Sequence, residues 1–118
     1  MKKSLRIKKN EEIEKIIKVR NTVGDKYFVI YQSNSELAHF RVGLSVSKKF
    51  GNAVQRNLVK NRIRNVLMEF KFENKDIFIV IKPTVNTLTF EEIRNDVIKL
   101  LRRANLNIGE KDDKIRQS

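Results

Sequence analysis

The 118-residue chain has no cysteine and no tryptophan, one proline, one histidine and four glycines. Without cysteine there is no disulfide framework and no thiolate metal site. His39 is the single histidine, at a strand entrance with no obvious partner, so no nucleophile–base pair can be assembled around it. Asp25, Asp76 and Asp96 are scattered and do not resemble a two-metal carboxylate cluster. No apolar run approaches the roughly 20 residues that a spanning helix needs. The stretch Met1–Lys9 has the charge of a secretion signal but no apolar segment behind it. These absences point to a cytoplasmic protein with no membrane role, no confident metal site and no self-contained active site.

What is present is positive charge. Lys and Arg number 26 against 14 Asp and Glu, for a net charge of +12 and a pI of about 10.2. That imbalance predicts a polyanionic partner, through electrostatic steering and counterion release. The excess is also localised. From Arg41 to Met68 there are seven basic residues and no acidic one.

The periodicities predict one domain over 1–107 and a flexible charged tail over 108–118. Asn10 is an N-cap candidate for a first helix with Ile13, Ile16 and Ile17 on one side, fading near Arg20. Asn21 to Asp25 reads as a loop, Lys26 to Ser33 as a strand, and Asn34 to Ala38 as a turn. Phe40 to Ser47 alternates, with Val42, Leu44 and Val46 on the buried face, and is expected to form a hairpin with the preceding strand. A central helix follows, capped by Asn52 and running to about Lys71, with Val59, Ile63, Val66, Leu67 and Phe70 as its core stripe. Asp76 to Lys82 is a buried strand stopped by Pro83. Thr89 and Glu92 form a capping box for a third helix carrying Phe90, Ile93, Val97, Leu100, Leu101 and Ala104. The order α-β-β-α-β-α gives an α+β fold: one small mixed sheet with helices packed on it, the strands around the central helix pairing in parallel.

On a wheel of about 100° per residue, with Val59 at zero, the core stripe of the central helix falls between roughly −20° and 80°. Asn57, Lys60, Asn61, Arg64 and Lys71 fall at roughly 100° to 200°. Arg56 lies on the border, and Arg62 on the opposite flank. An ordinary solvated helix face mixes signs and forms Glu–Lys pairs one turn apart. A row of cations and amides suits an RNA backbone instead, the cations meeting phosphates and the amides meeting 2′-hydroxyls or base edges.

The stretch Arg41-Val-Gly-Leu-Ser-Val-Ser-Lys-Lys-Phe-Gly-Asn-Ala-Val-Gln-Arg-Asn57, followed by Lys60 and Arg64, resembles the signature of the bacterial ribonuclease P protein family. The resemblance implies the protein subunit of a ribonucleoprotein endonuclease that removes the 5′ leader of precursor tRNA. In that family the RNA subunit is the Mg²⁺-dependent catalyst and the protein supplies no catalytic group. The implied partners are ribonuclease P RNA and precursor tRNA, with no obligatory protein partner. The implied RNA-binding residues are Lys48, Lys49, Asn52, Arg56, Asn57, Lys60, Arg62 and Arg64. Those implied for the precursor leader, in a cleft between the first helix and the sheet, are Ile13, Ile17, Tyr31 and Ser45. The family's crossover around the central helix is left-handed.

Two departures stand out. Leu58 and Asn61 occupy positions where the family pattern has arginine, and Ile13 and Ile17 stand where Phe is frequent. Aliphatic side chains do not stack bases as rings do. The leader is therefore expected to rely on Tyr31 and on charge. A structural RNA-binding protein, for example of a ribosome, would share the basic face, and an autonomous nuclease is the third reading. Reconstitution with ribonuclease P RNA separates the three.

Overall fold

The computed structural model describes residues 5–71, 73–104 and 109–110. Among these the order is α1 (Asn10–Lys18), β1 (Thr22–Gly24), β2 (Phe28–His39), β3 (Arg41–Val46), α2 (Ala53–Leu67), β4 (Phe70–Lys71), β5 (Glu73–Ile81), α3 (Phe90–Arg103) and β6 (Gly109–Glu110). Short 3-10 turns at Lys48–Phe50 and Pro83–Thr87 lead into α2 and away from β5.

The main sheet runs β1-β2-β5-β3. β5 is antiparallel to β2 and parallel to β3, so β3, α2 and β5 form the expected parallel crossover. The expected hairpin between β2 and β3 does not form, because β5 inserts between them. The reason is burial: β5 carries Ile77, Ile79 and Ile81 on one face, all fully buried. Only a central position covers such a strand from both sides.

Three further expectations change. The turn at Asn34 to Ala38 is instead a continuation of β2, with the pairing to β5 shifted between Asn34 and His39. The loop at Asn21 to Asp25 contains β1, which takes the free edge of β2 in antiparallel register. Lys9, not Asn10, is the N-cap of α1, and no side chain caps it. The carboxylates of Glu11 and Glu12 in the first turn still suit the helix dipole there.

The other two helix starts are as the sequence requires. Asn52 Oδ1 accepts from Gln55 N at 2.9 Å, and Gln55 Oε1 accepts from Asn52 N at 2.9 Å. Thr89 and Glu92 form the same reciprocal box at α3.

Phe28, Ile30, Val42, Ile77, Ile79 and Ile81 face α2 and α3, whose Val59, Ile63, Val66, Leu67, Ile93, Val97, Leu100 and Leu101 complete the main core. Phe70 joins it from β4, since α2 ends at Leu67 rather than near Lys71. Phe90, assigned by periodicity to the apolar stripe of α3, is exposed. Buried Gln32 donates through Nε2 to the Ala104 carbonyl at 2.6 Å, joining the end of α3 to the sheet. Gly109–Glu110 pair antiparallel with Phe70–Lys71, within the stretch expected to be a flexible tail. The rest of that stretch lies outside the described residues.

The opposite sheet face carries Tyr31, Phe78 and Gly43 in register across β2, β5 and β3, with Ser45 one row on beside Val80. α1 and the segment before it cover this face. Ile7 donates its amide to the Val42 carbonyl at 2.8 Å and is buried with Ile16 and Phe78. The segment before α1 is thus held to the sheet at Arg6–Ile7. Gly43 permits this. A Cβ there would lie 3.0 Å from the Phe78 ring and 3.2 Å from the Ile7 carbonyl.

Candidate nucleic-acid interface

α2 presents its basic residues to solvent because its other side is filled by the core stripe. Arg56, Lys60 and Arg64 follow one another at one-turn intervals beside Val59 and Ile63. Arg6 reaches the same place from the segment before α1. Burial and the neighbouring cations Arg64 and Arg56 pull the Lys60 pKa below its ordinary value. Burial and Arg6 do the same to Arg64. Among the described residues no carboxylate contributes to either shift. Glu69, the nearest acid after the acid-free stretch, is engaged by Arg94 of α3, whose Nε donates to it at 3.1 Å. This row is a concentration of like charge held together by the fold, and a polyanion would relieve its repulsion.

The other expected residues divide. Asn57 is exposed along the same helix. Lys48 and Lys49 are exposed in the turn before it. Asn52 is occupied by the helix cap, its side-chain oxygen taken by Gln55 N. Arg62 points away from the row, and its guanidinium sits 5.5 Å from the Phe90 ring centroid. Asn61, where the family pattern has arginine, accepts from Arg64 Nη1 at 3.0 Å and so orients that cation. Lys71, placed on this helix face by the wheel, lies instead on β4, because α2 stops earlier.

Arg41 also changes role. It opens the acid-free stretch, yet its guanidinium is bound on two sides. It donates to both oxygens of Asp76, at 3.0 and 2.9 Å, and to Glu12 Oε2 at 2.7 Å. Asp76 is only 9% exposed. These acids come from β5 and α1, far away in sequence. The Arg41 pKa is driven upward, chiefly by the Asp76 hydrogen bonds. The triad ties α1 to the sheet and is structural.

Ile13, Tyr31 and Val80 gather around Ile7, Ile16 and Phe78 in a small second cluster between α1 and the sheet. The Tyr31 and Phe78 ring centroids are 6.2 Å apart. Ser45 is exposed on the same sheet face, and Ile17 is 38% exposed on α1. The structure therefore brings Ile13 and Tyr31 together, with Ser45 in the adjoining row and Ile17 towards solvent. Arg6 is the contributor that the sequence reading missed. Its signal was Ile7, an apolar residue among basic ones, which the sheet buries.

A family model described as ribonuclease P matches residues 1–105. The chain is 40% identical over 108 residues to a ribonuclease P protein component from Streptococcus thermophilus, covering 90% of this chain and 97% of that one. It is 43% identical over 110 residues to one from Limosilactobacillus fermentum, covering 90% and 96%. Among solved structures it superposes on a Staphylococcus aureus RNase P protein with a TM-score of 0.80 and 37% identity, over 88% of this chain and 98% of the other.

Proposed function

This chain belongs to the ribonuclease P protein family, and from that premise we propose that it binds the RNA subunit of ribonuclease P through α2 and the 5′ leader of precursor tRNA through the cleft under α1. The observation that carries the proposal is the row Arg56, Lys60 and Arg64, where among the described residues no carboxylate offsets the charge of Lys60 or Arg64. The cations would bind phosphates as point charges and forks, giving affinity without base sequence. The apolar cleft would accept leader bases against Tyr31 and Ile13, with Ser45 available as a hydrogen-bond partner. Holding the leader positions the scissile bond in the RNA active site and so assists endonucleolytic formation of the mature 5′ end.

Cleavage is assigned to the RNA subunit. The Mg²⁺ that this cleavage needs would be held mainly by the RNA subunit. A precursor-tRNA substrate would fit a complex working in the bacterial cytoplasm. Among the described residues, no helix is long and apolar enough to cross a membrane.

The test is reconstitution with ribonuclease P RNA and precursor tRNA at low Mg²⁺. Faster cleavage and tighter precursor binding are expected, with the protein alone inactive. Binding without stimulation would indicate a structural RNA-binding protein, and cleavage without the RNA subunit would indicate an autonomous nuclease.

A further inference from the structure

The solvent side of α2 has two unlike flanks. One is the cation row. The other carries Val54, Leu58 and Arg62, again at one-turn intervals. Val54 is 76% exposed, Leu58 50% and, beside Arg62, Phe90 46%. Behind Leu58 a cleft of about 350 Å³ opens between α2 and the turn Pro83–Thr87. Phe50, Leu58, Val85 and Leu88 are among its apolar walls, and Gln55, Asn86 and Arg62 supply its polar groups. No acidic residue lines it.

A solvated helix in a chain with 34% charged residues has no need of bare leucine, valine and phenylalanine in one place. A phosphate contact does not need them either. A planar apolar ring with hydrogen-bonding edges does. We propose that this cleft receives an unpaired nucleobase of the RNA subunit, seated against Leu58, with Arg62 on the adjoining phosphate and Gln55 and Asn86 within the same recess for its edge. Charge selects this occupant over a second copy of the chain. A second copy would bring another +12 molecule to a surface whose rim is already cationic. The flank is also continuous with the cation row across one helix, so a single RNA strand can engage both. At position 58, where the family pattern has arginine, the proposed contact is therefore apolar.

The inference rests on the function proposed above, and its test separates the two. The chain has no cysteine, so Leu58→Cys carries a unique thiol. Labelled with a short photoactivatable group and assembled with ribonuclease P RNA, it should cross-link to one unpaired nucleotide. Leu58→Ser should weaken RNA binding about fivefold without changing its salt dependence, as loss of an apolar contact does. Leu58→Met should bind like the unaltered protein. Leu58 is half exposed, so the fold should survive these changes, and an unchanged thermal transition checks that. A cross-link to another protein copy or within the chain, or normal binding by Leu58→Ser, overturns the nucleobase contact alone. Failure of the unaltered protein to bind the RNA overturns the proposed function itself.

Discussion

At Arg41 the fold brings two carboxylates to one guanidinium, whereas at Lys60 and Arg64 it brings none among the described residues. All three cations belong to a stretch with no acid of its own. Their difference lies in what the tertiary structure delivers from elsewhere. Asp76 and Glu12 arrive at Arg41 from β5 and α1. At α2 the neighbours are Arg56, Arg6 and each other. Arg41 therefore stabilises the fold and Lys60 strains it slightly. Local charge density alone does not distinguish a structural cation from one waiting for a partner. The origin of its counter-charge does.

The hardest test of this contrast is Asp76→Ala, which leaves a half-buried guanidinium with Glu12 alone. Breaking such a pair costs about 3 kcal/mol, so thermal unfolding should drop by more than about 10 °C. A drop of only a degree or two would show that the triad is not what holds α1 to the sheet. Gly43→Ala attacks the same cover from the sheet side. Its methyl group would press on the Phe78 ring and the Ile7 carbonyl. Overpacking of this kind costs about 1–3 kcal/mol, and amide exchange at Ile7 should accelerate before the core is affected.

The opposite pattern is expected on α2. Lys60→Ala with Arg64→Ala should leave unfolding nearly unchanged while weakening RNA binding at least tenfold. The slope of log K against log salt should shrink by about 1.5, the share of two phosphate contacts. Loss of stability with normal RNA binding would reverse the assignment of the two cation groups. In the cleft, Tyr31→Ala should lower the affinity for precursor tRNA by roughly five- to tenfold relative to mature tRNA, and Tyr31→Phe should restore it, if the ring stacks a base.

The smallest effect is the strain itself. Because the folded-state pKa of Lys60 lies below its ordinary value, the folded protein binds its proton less tightly than the unfolded chain. Stability should therefore rise with pH between that lowered value and the ordinary one near 10.5. Lys60→Gln should be as stable as the parent or better near neutrality, by roughly 0.2–0.5 kcal/mol for each like-charge pair removed. Added salt should shrink the part of the difference due to Arg56 and Arg64 and leave the part due to burial, which a pair of melting curves measures.

Much of this was legible locally. The N-cap at Asn52, the capping box at Thr89, the core stripe of α2 as far as Leu67 and the apolar run of β5 are short-range patterns, and each appears where the sequence placed it. The order of strands was not legible. Adjacent strands usually pair, and β2 and β3 looked like a hairpin until β5, buried on both faces, took the place between them. Phe90 fitted the apolar period of α3 but sits in its first turn, where its ring stays exposed with Arg62 beside it. Arg6 was hidden for the same reason, its place fixed by a bridge to Val42.

Composition and periodicity by themselves determined a small basic α+β domain whose cations collect around one helix. They determined it because charge, helix period and caps act within a few residues. Tertiary structure alone decided which of those cations are already satisfied, that β5 stands between β2 and β3, and that an apolar cleft opens beside Leu58. Each of these depends on groups far apart in the chain meeting in space, and only the packed core fixes which ones meet.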